Sequence, residues 1–573
     1  MNSAMTHSAD GDHLRVAPWW NLPANPLIIR YVRSRLRIRR SLGWILTTLI
    51  LSSFTFFMIY LTAVNRGLAS SQDAARGVLM PMFTIQGIIL MLMGTGSVAS
   101  GVVQDKITGT IDYQRLTPMS PLAKIIGYVF GLPIREYLLF AITLPFTVFG
   151  LIVGKVSPSA FVPVYLIFFT SVLLYHMTGM AAAMISRRWR FTARLTQGLV
   201  ILLYLILPQF SHLGLYGFQY LTVRPVLAAE LYPMIPSQFL GNLDPSWSGL
   251  DSVPFFIWEF SSFGFSFVLQ GLLIFTLGTM AYRKWRDPNQ HALGKGYGVG
   301  IFVLIATMIL GNLWPILTRD TTVNLPILGG LGSDRVDQGI GVLLPMIFSY
   351  ALLFSGMWIL QLVTPSHHEV LRGWRRVVKL GEHRLGWWRN ESPAGPVLIL
   401  LIAVSWIALG SELALLASNA FLPSDQVSGL ERLCLPLALT VALLSFYAAL
   451  ISLENRRIFI VLLLGWGLPA LVAIFLGAAF QSYHVAIYCA ALSPLFLIGY
   501  AGLFLESTGV DQSQVLEYQQ SSEVAFWLGL LLQALLIAWL LWRWTQLYRR
   551  LVDIARTGSR DVPAALLEPE IEE

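Results

Sequence analysis

Charge is what this sequence has least of: 12% of its 573 residues are Asp, Glu, Lys or Arg, against about 25% in ordinary soluble domains. That scarcity argues against a soluble enzyme. There are two cysteines, Cys434 and Cys489, and both sit inside apolar runs, where they read as small buried hydrophobes. A disulfide-stapled secreted domain is thereby excluded. No cleavable signal peptide is expected, because the first 24 residues are polar and the first apolar run is too long for a signal core. A phosphate-cradling loop, Gly-x-x-x-x-Gly-Lys-Ser/Thr, is missing as well. The nearest fragment, Gly294-Lys295, has Asn289 where the first glycine belongs and Gly296 after the lysine. His367-His368-Glu369 lacks the one-turn separation of paired metal-ligating histidines. No Ser/His/Asp or Cys/His arrangement stands out. On this reading the chain holds no catalytic residue, metal or cofactor of its own.

What it has in abundance is apolar length. Hydrophobic residues make up 55% and the mean hydropathy is +0.65. Runs long enough to cross a core of about 30 Å recur throughout, at 41–64, 78–101, 132–153, 161–183, 196–219, 256–281, 297–316, 340–362, 396–418, 432–453, 458–480, 484–505 and 524–544. The expected fold is therefore all-α and polytopic. The net charge of +8 does not mark a nucleic-acid binder, because it is confined to loops of one parity. With the N-terminus inside, 31 of the 39 Lys and Arg fall in inner loops and 6 in outer ones, a strong positive-inside bias. Thirteen crossings would put the basic tail after Arg543 outside, and the loop 506–523 carries no Lys or Arg. Both facts are met if 484–505 enters and returns without crossing, broken at Pro494. The expectation is twelve crossings in two six-helix halves, one re-entrant segment, and a cytoplasmic C-terminus.

Four regions follow: a basic N-terminal segment 1–40, a first half 41–290, a second half 291–550 and a tail 551–573. Within 26–40, Arg30, Arg33, Arg37 and Arg40 oppose Ile28, Ile29, Val32 and Leu36, which suggests an elbow-like interfacial helix. Within 370–388, Val370, Trp374, Val377, Val378, Leu385 and Trp388 oppose Arg372, Arg375, Arg376 and Lys379, the pattern of a helix lying flat on lipid. Polar groups inside spans are functional suspects. The adjacent Arg135 and Glu136 read as a structural pair or part of a gate, and His176, His212, Glu259 and Glu412 as isolated hydrogen-bonding groups.

The first inner loop, Gln104-Asp105-Lys106-Ile107-Thr108-Gly109-Thr110-Ile111-Asp112-Tyr113-Gln114-Arg115-Leu116-Thr117-Pro118-Met119-Ser120, is the most informative stretch. Gly109 permits a tight turn, Pro118 sets a stop, and Asp105 is placed to cap the start of a short surface helix between them. The run resembles the coupling-helix region of type-2 ATP-binding-cassette permeases, in which an acidic residue precedes Gly-Thr, an apolar stretch and Thr-Pro-Leu-Ser. Here Met119 stands for the usual Leu, Asp105 for the usual Glu, and Gln114 and Arg115 are more polar than is typical. The second half shows only a poor match, so the boundary between halves and a second elbow at 370–388 stay open.

The resemblance implies the membrane-spanning subunit of an ATP-driven exporter in a bacterial inner membrane. Asp105, Gly109, Thr110, Leu116, Thr117 and Pro118 would form the ATPase-coupling loop within 104–120. ATP and magnesium would sit on a separate cytoplasmic ATPase subunit, expected as a dimer. The remaining expected partners are membrane lipid and, left open, a further permease chain; nucleic acid is not among them. On this reading Asp105→Arg uncouples the ATPase and spares the fold. The rival readings are an ion-coupled secondary transporter and an integral membrane enzyme or scaffold.

Overall fold

The computed structural model describes residues 24–185, 216–240, 252–288, 290–318, 333–419, 429–453, 463–480, 483–505 and 512–558, with a few isolated positions between 197 and 209. Among the described residues, 10 helices are long and apolar enough to cross a membrane. Hydrocarbon offers no partner to backbone N–H and C=O groups, and a helix satisfies them internally. The run expected at 196–219 lies largely outside the described residues, as does His212. The run expected at 458–480 is described as a π-helical turn, Leu463–Gly467, followed by a 13-residue helix. The run expected at 484–505 is broken by a turn at 491–493. Its pieces, Tyr483–Ala490 and Pro494–Leu503, reach about 12 and 15 Å at the helical rise per residue, each half or less of a core about 30 Å thick. Pro494 opens the second piece, where its missing N–H leaves nothing unpaired.

The all-α expectation needs one amendment. Strands β1 (Ser252–Phe255) and β2 (Trp258–Ser261) pair as a hairpin. They take up the start of the run expected to span from 256, so the helix begins at Ser262, where the Ser261 hydroxyl accepts from the Gly264 N–H. Glu259, expected inside the membrane, is exposed on β2.

The chain divides into two compact units, one of Met1–Leu207, Tyr220–Ser252 and Ser261–Pro288, the other of Pro208–Gln219, Val253–Phe260 and Asn289–Glu573. The first contains α1 (Pro26–Arg35), α2 (Ile38–Asn65), α3 (Ser71–Gly87), α4 (Thr95–Ile107), α5 (Thr110–Arg115), α6 (Pro121–Gly131), α7 (Ile134–Val153), α8 (Pro158–Ile185) and α9 (Ser262–Arg286). A π-helical stretch, Ile88–Gly94, joins α3 to α4, and His176 of α8 donates from Nε2 to the Leu90 carbonyl within it, at 3.0 Å. Two buried amides tie the spans together. Gln86 donates to Thr143 and Thr147 and accepts from Tyr165, while Gln270 accepts from Thr170 and Ser171 and donates to the Tyr220 carbonyl. Satisfied polar groups of this kind act as glue between helices.

The N-terminal helix is shorter than the expected 26–40. It starts on Asn25, whose side chain accepts from the Leu27 N–H, and it stops at Arg35 because Arg37 is extended. Its buried residues are Leu27 and Tyr31, and it packs on α6 through two glycines. A Cβ on Gly127 would lie 2.8 Å from the Leu27 Cβ, and one on Gly131 would lie 3.3 Å from the Ile28 Cα. Backbones approach this closely only over small residues. Gly131→Leu should therefore lift α1 away, and tryptic cleavage at Arg33 should accelerate roughly tenfold as local opening becomes easier. An unchanged cleavage rate would show that α1 is held elsewhere.

The second unit contains α10 (Lys295–Leu317), α11 (Ser333–Val363), α12 (His367–Lys379), α13 (Gly395–Ser418), α14 (Gly429–Ser452), α15 (Leu468–Phe480), α16 (Tyr483–Ala490), α17 (Pro494–Leu503) and α18 (Gln512–Thr557). The interfacial helix expected at 370–388 is α12, and it differs in both extent and surroundings. Ser366 and Glu369 form a reciprocal capping box that starts it early, and it ends at Lys379, two residues before Gly381 at φ +69°. Its apolar face is covered by protein: Val370, Leu371, Trp374 and Val377 pack on Leu551, Ala555 and Tyr548 of α18. Trp374 also donates to the Tyr548 hydroxyl at 3.1 Å. At 46 residues α18 is long enough to run well past the membrane and supply this partner face.

The residues beyond α12 wrap an ammonium group. Lys295 Nζ shares its three N–H groups among the carbonyls of Trp387, Arg389, Ser392 and Pro393, at 2.8–3.2 Å, and the Ser392 hydroxyl. Nothing in the helical periodicity of 370–388 shows this, because the contact spans more than 90 residues. Lys295→Met removes this donor from the Ser392 and Pro393 carbonyls, while those of Trp387 and Arg389 keep the Ser392 hydroxyl, and should cost about 2–3 kcal/mol of stability. Thermal unfolding of purified protein checks it, and an undiminished midpoint would mean that the loop is held by other contacts.

Candidate functional site

The segment 104–120 does not form one surface helix. α4 continues through Asp105 to Ile107, the chain reverses at Gly109, and α5 is a separate six-residue helix. Gly109 has φ +73°, a conformation that costs an L-residue about 1–2 kcal/mol. α5 ends at Arg115, and the Thr117 hydroxyl donates to the Gln114 carbonyl at 2.6 Å. Pro118 follows, and Ser120 then caps α6 by accepting from the Ala123 N–H at 3.2 Å.

Asp105, expected to cap the short helix, does not. It lies one helix earlier, and its carboxylate faces α1 and α6 instead of the free N–H groups of α5. Oδ2 accepts from the Tyr31 hydroxyl at 2.7 Å and the Tyr128 hydroxyl at 2.8 Å, with Arg30 Nη1 at 3.8 Å. Burial, reinforced by the Asp105 carboxylate, raises the Tyr31 pKa well above the ordinary phenol value, so it stays a proton donor. The oxygen of Tyr128 also lies 2.9 Å from the buried side-chain amide of Gln114. With the Tyr128 proton given to Asp105, that contact closes when the amide nitrogen faces the phenol and donates to it.

Three cations brace the same segment. Lys106 Nζ donates to the Met184 carbonyl at the end of α8, at 2.7 Å. Arg115 donates to the Trp285 and Lys284 carbonyls at the end of α9, both at 3.3 Å, and contacts Asp112. Lys124 donates to the Thr117 carbonyl at 3.2 Å. Terminal helix carbonyls lack intrahelical donors and carry partial negative charge, which is why cations settle there. α5 is thus fixed on its inner side to the end of α9, and the turn that precedes it is fixed through Lys106 to the end of α8.

Its outer side is bare. Tyr113 is 72% and Leu116 84% exposed, and Ile107 and Asp112 are exposed beside them. The polar residues that interrupt the expected apolar stretch, Gln114 and Arg115, are the inward ones. Of the expected site residues, Leu116 faces outward, Gly109 makes the turn, and Thr117 and Pro118 make the stop. Thr110 opens α5 with its hydroxyl 2.9 Å from that of Thr108. The sequence reading missed Tyr113, although its i, i+3 relation to Leu116 signals a shared face. Tyr31 and Tyr128 carried no local signal.

Arg135 and Glu136 are brought together at the start of α7. Glu136 is 0% exposed; its Oε1 accepts from Arg135 Nη2 at 2.6 Å and from the Ser97 hydroxyl at 2.8 Å. The Arg135 guanidinium lies 5.2 Å from the Trp44 ring centroid. The pair therefore joins α2, α4 and α7. In the second unit His367 Nε2 donates to the Ile451 carbonyl at 2.8 Å. Among the described residues no group of three His, Cys, Asp or Glu side chains is placed to hold a metal. Glu412 of α13 is fully buried, and both of its carboxyl oxygens lack a partner among the described residues.

Comparison with known proteins finds no match to this chain among family models, curated proteins or solved structures.

Proposed function

We propose that the chain is the membrane-spanning subunit of an ATP-driven exporter, moved by a separate ATPase subunit that docks on α5. The observation that carries this reading is the two-sidedness of α5. Tyr113 and Leu116 stand bare on one side, while the other is tied by Arg115 to the end of α9, next to α4, whose Lys106 reaches the end of α8. A push on the bare face reaches the end of α9 directly through Arg115, and reaches the end of α8 through the turn at Gly109 and Lys106 of α4. The one-sided Lys and Arg distribution supports placing that face in the cytoplasm. The broken run at 483–503 supports a re-entrant segment there, giving twelve crossings with both termini cytoplasmic. A bacterial inner membrane fits the same resemblance.

Co-purification from native membranes tests the proposal. The native chain should elute with a stoichiometric subunit that hydrolyses ATP. Elution without ATP hydrolysis would defeat the reading.

Glu412 favours a second reading, coupling to a proton or cation, because an unpartnered carboxyl inside a span is unfavourable unless it is used. Glu412→Leu should then stabilise the purified protein by about 1–3 kcal/mol while abolishing transport. A destabilised variant would show the carboxyl to be a structural element.

A further inference from the structure

A cavity of about 230 Å³ opens beside the Asp105 cluster, lined by Tyr31 and Arg35 of α1, by Ser100, Gln104 and Asp105 of α4, and closed by Leu132. That is far more than the ~30 Å³ share of one water molecule. The charges around it do not cancel. Asp105 is taken by Tyr31, Tyr128 and Arg30, and Glu136 by Arg135 and Ser97. Arg35 is partly buried, and its guanidinium makes no hydrogen bond or ion pair among the described residues, feeling the Glu136 and Asp105 carboxylates only at a distance. Burial lowers its pKa from the ordinary guanidinium value, but an arginine stays charged. Arg33, Arg37 and Arg39 are exposed in the neighbouring chain and do not line the cavity, which leaves Arg35 as its cation.

We propose that this cavity binds a phosphate group, presented by a phospholipid headgroup and gripped by the planar fork of Arg35 with the Gln104 amide beside it. A guanidinium matches two phosphate oxygens at once. The lipid source follows from position. The cavity sits where α2 begins, and the flank of α2 is exposed at Leu42, Leu46, Leu49 and Ile50, a surface for acyl chains. Trp44, half-exposed under the Arg135 guanidinium near the start of α2, is the kind of amphipathic ring that settles at headgroup level. The proposal rests on membrane insertion, and it is independent of the ATPase partner.

The test uses the full chain, purified in a nonionic detergent, with retained phospholipid measured by phosphorus assay and by mass spectrometry of the extract. The native chain should retain a single phospholipid that millimolar inorganic phosphate does not displace. Arg35→Gln should lower retention by about tenfold, the loss of one charge-assisted contact, and Arg35→Lys should restore part of it. Gln104→Glu, at an exposed position that spares the packing, should expel the lipid by repulsion, and Arg33→Gln should change nothing. Full retention by Arg35→Gln and Gln104→Glu overturns the proposal. Displacement by inorganic phosphate overturns the lipid source and assigns the cavity to a free phosphate compound. Flotation of the native chain with liposomes is scored separately, so a failure to insert counts against the membrane reading and is not confused with loss of the site.

Discussion

Leu116→Asp is expected to release the ATPase subunit while leaving the permease chain folded. The side chain is 84% exposed and ends a face shared with Tyr113, so its removal takes away no internal packing. Exposed substitutions away from special features usually change stability by about 0.5 kcal/mol or less. At a protein interface the same side chain would lie near the centre of the contact, and burying a new carboxylate there is unfavourable. Association should weaken at least about 30-fold, the ~2 kcal/mol of an interface hot spot. Tyr113→Asp should act likewise, and the two effects should combine less than additively because the side chains share one patch. Binding of purified chain to the co-purified ATPase, together with the unfolding midpoint, separates the outcomes. If both variants bind at native strength, α5 is not the docking element.

Asp105 gives the opposite pattern, a large loss of stability. Asp105→Leu leaves the Tyr31 hydroxyl without its acceptor and leaves Tyr128 only the Gln114 side-chain amide 2.9 Å away, and an unpaired polar group costs about 1–3 kcal/mol. A loss of about 3 kcal/mol is expected in the unfolding free energy. Asp105→Asn keeps an acceptor oxygen and should lose about 1 kcal/mol. Asp105→Arg, expected from sequence to spare the fold, should instead be the worst of the three, since it sets a cation beside Arg30 and Arg35. Tyr31→Phe in the Asp105→Leu background should recover part of the loss, because the orphaned hydroxyl is gone. Native stability of Asp105→Leu would remove the Asp105 cluster from the account of how α1, α4 and α6 are joined.

These two residues show which parts of the site were legible. Gly109 and Pro118 were readable because a backbone reversal and a helix stop depend on the residue itself. Leu116 was found by resemblance, and its neighbour Tyr113 was available from helical spacing. Asp105 was assigned a local cap because its sequence neighbours offered one. Its actual partners lie 74 and 23 residues away, and no periodicity reports contacts at that separation. The segment 370–388 failed for a related reason. Its amphipathic pattern was correct over α12, but a pattern does not distinguish lipid from another helix as the apolar partner.

By itself the sequence determined that this chain is helical and rich in segments able to cross a membrane, because length and hydropathy act residue by residue against a hydrocarbon core. It also determined where the first loop must turn and stop. Tertiary structure alone decided which face of α5 is bare and which is braced, because Arg115 reaches a carbonyl at the end of α9, 170 residues distant, and Lys106 of α4 anchors the preceding turn to a carbonyl 78 residues away. It decided likewise that α12 meets α18, that the loop after α12 closes around Lys295, and that Arg35 lines a cavity with no hydrogen bond or ion pair among the described residues. Each of these depends on which side chains arrive at the same point in space, and folding settles that through packing between elements far apart in the chain.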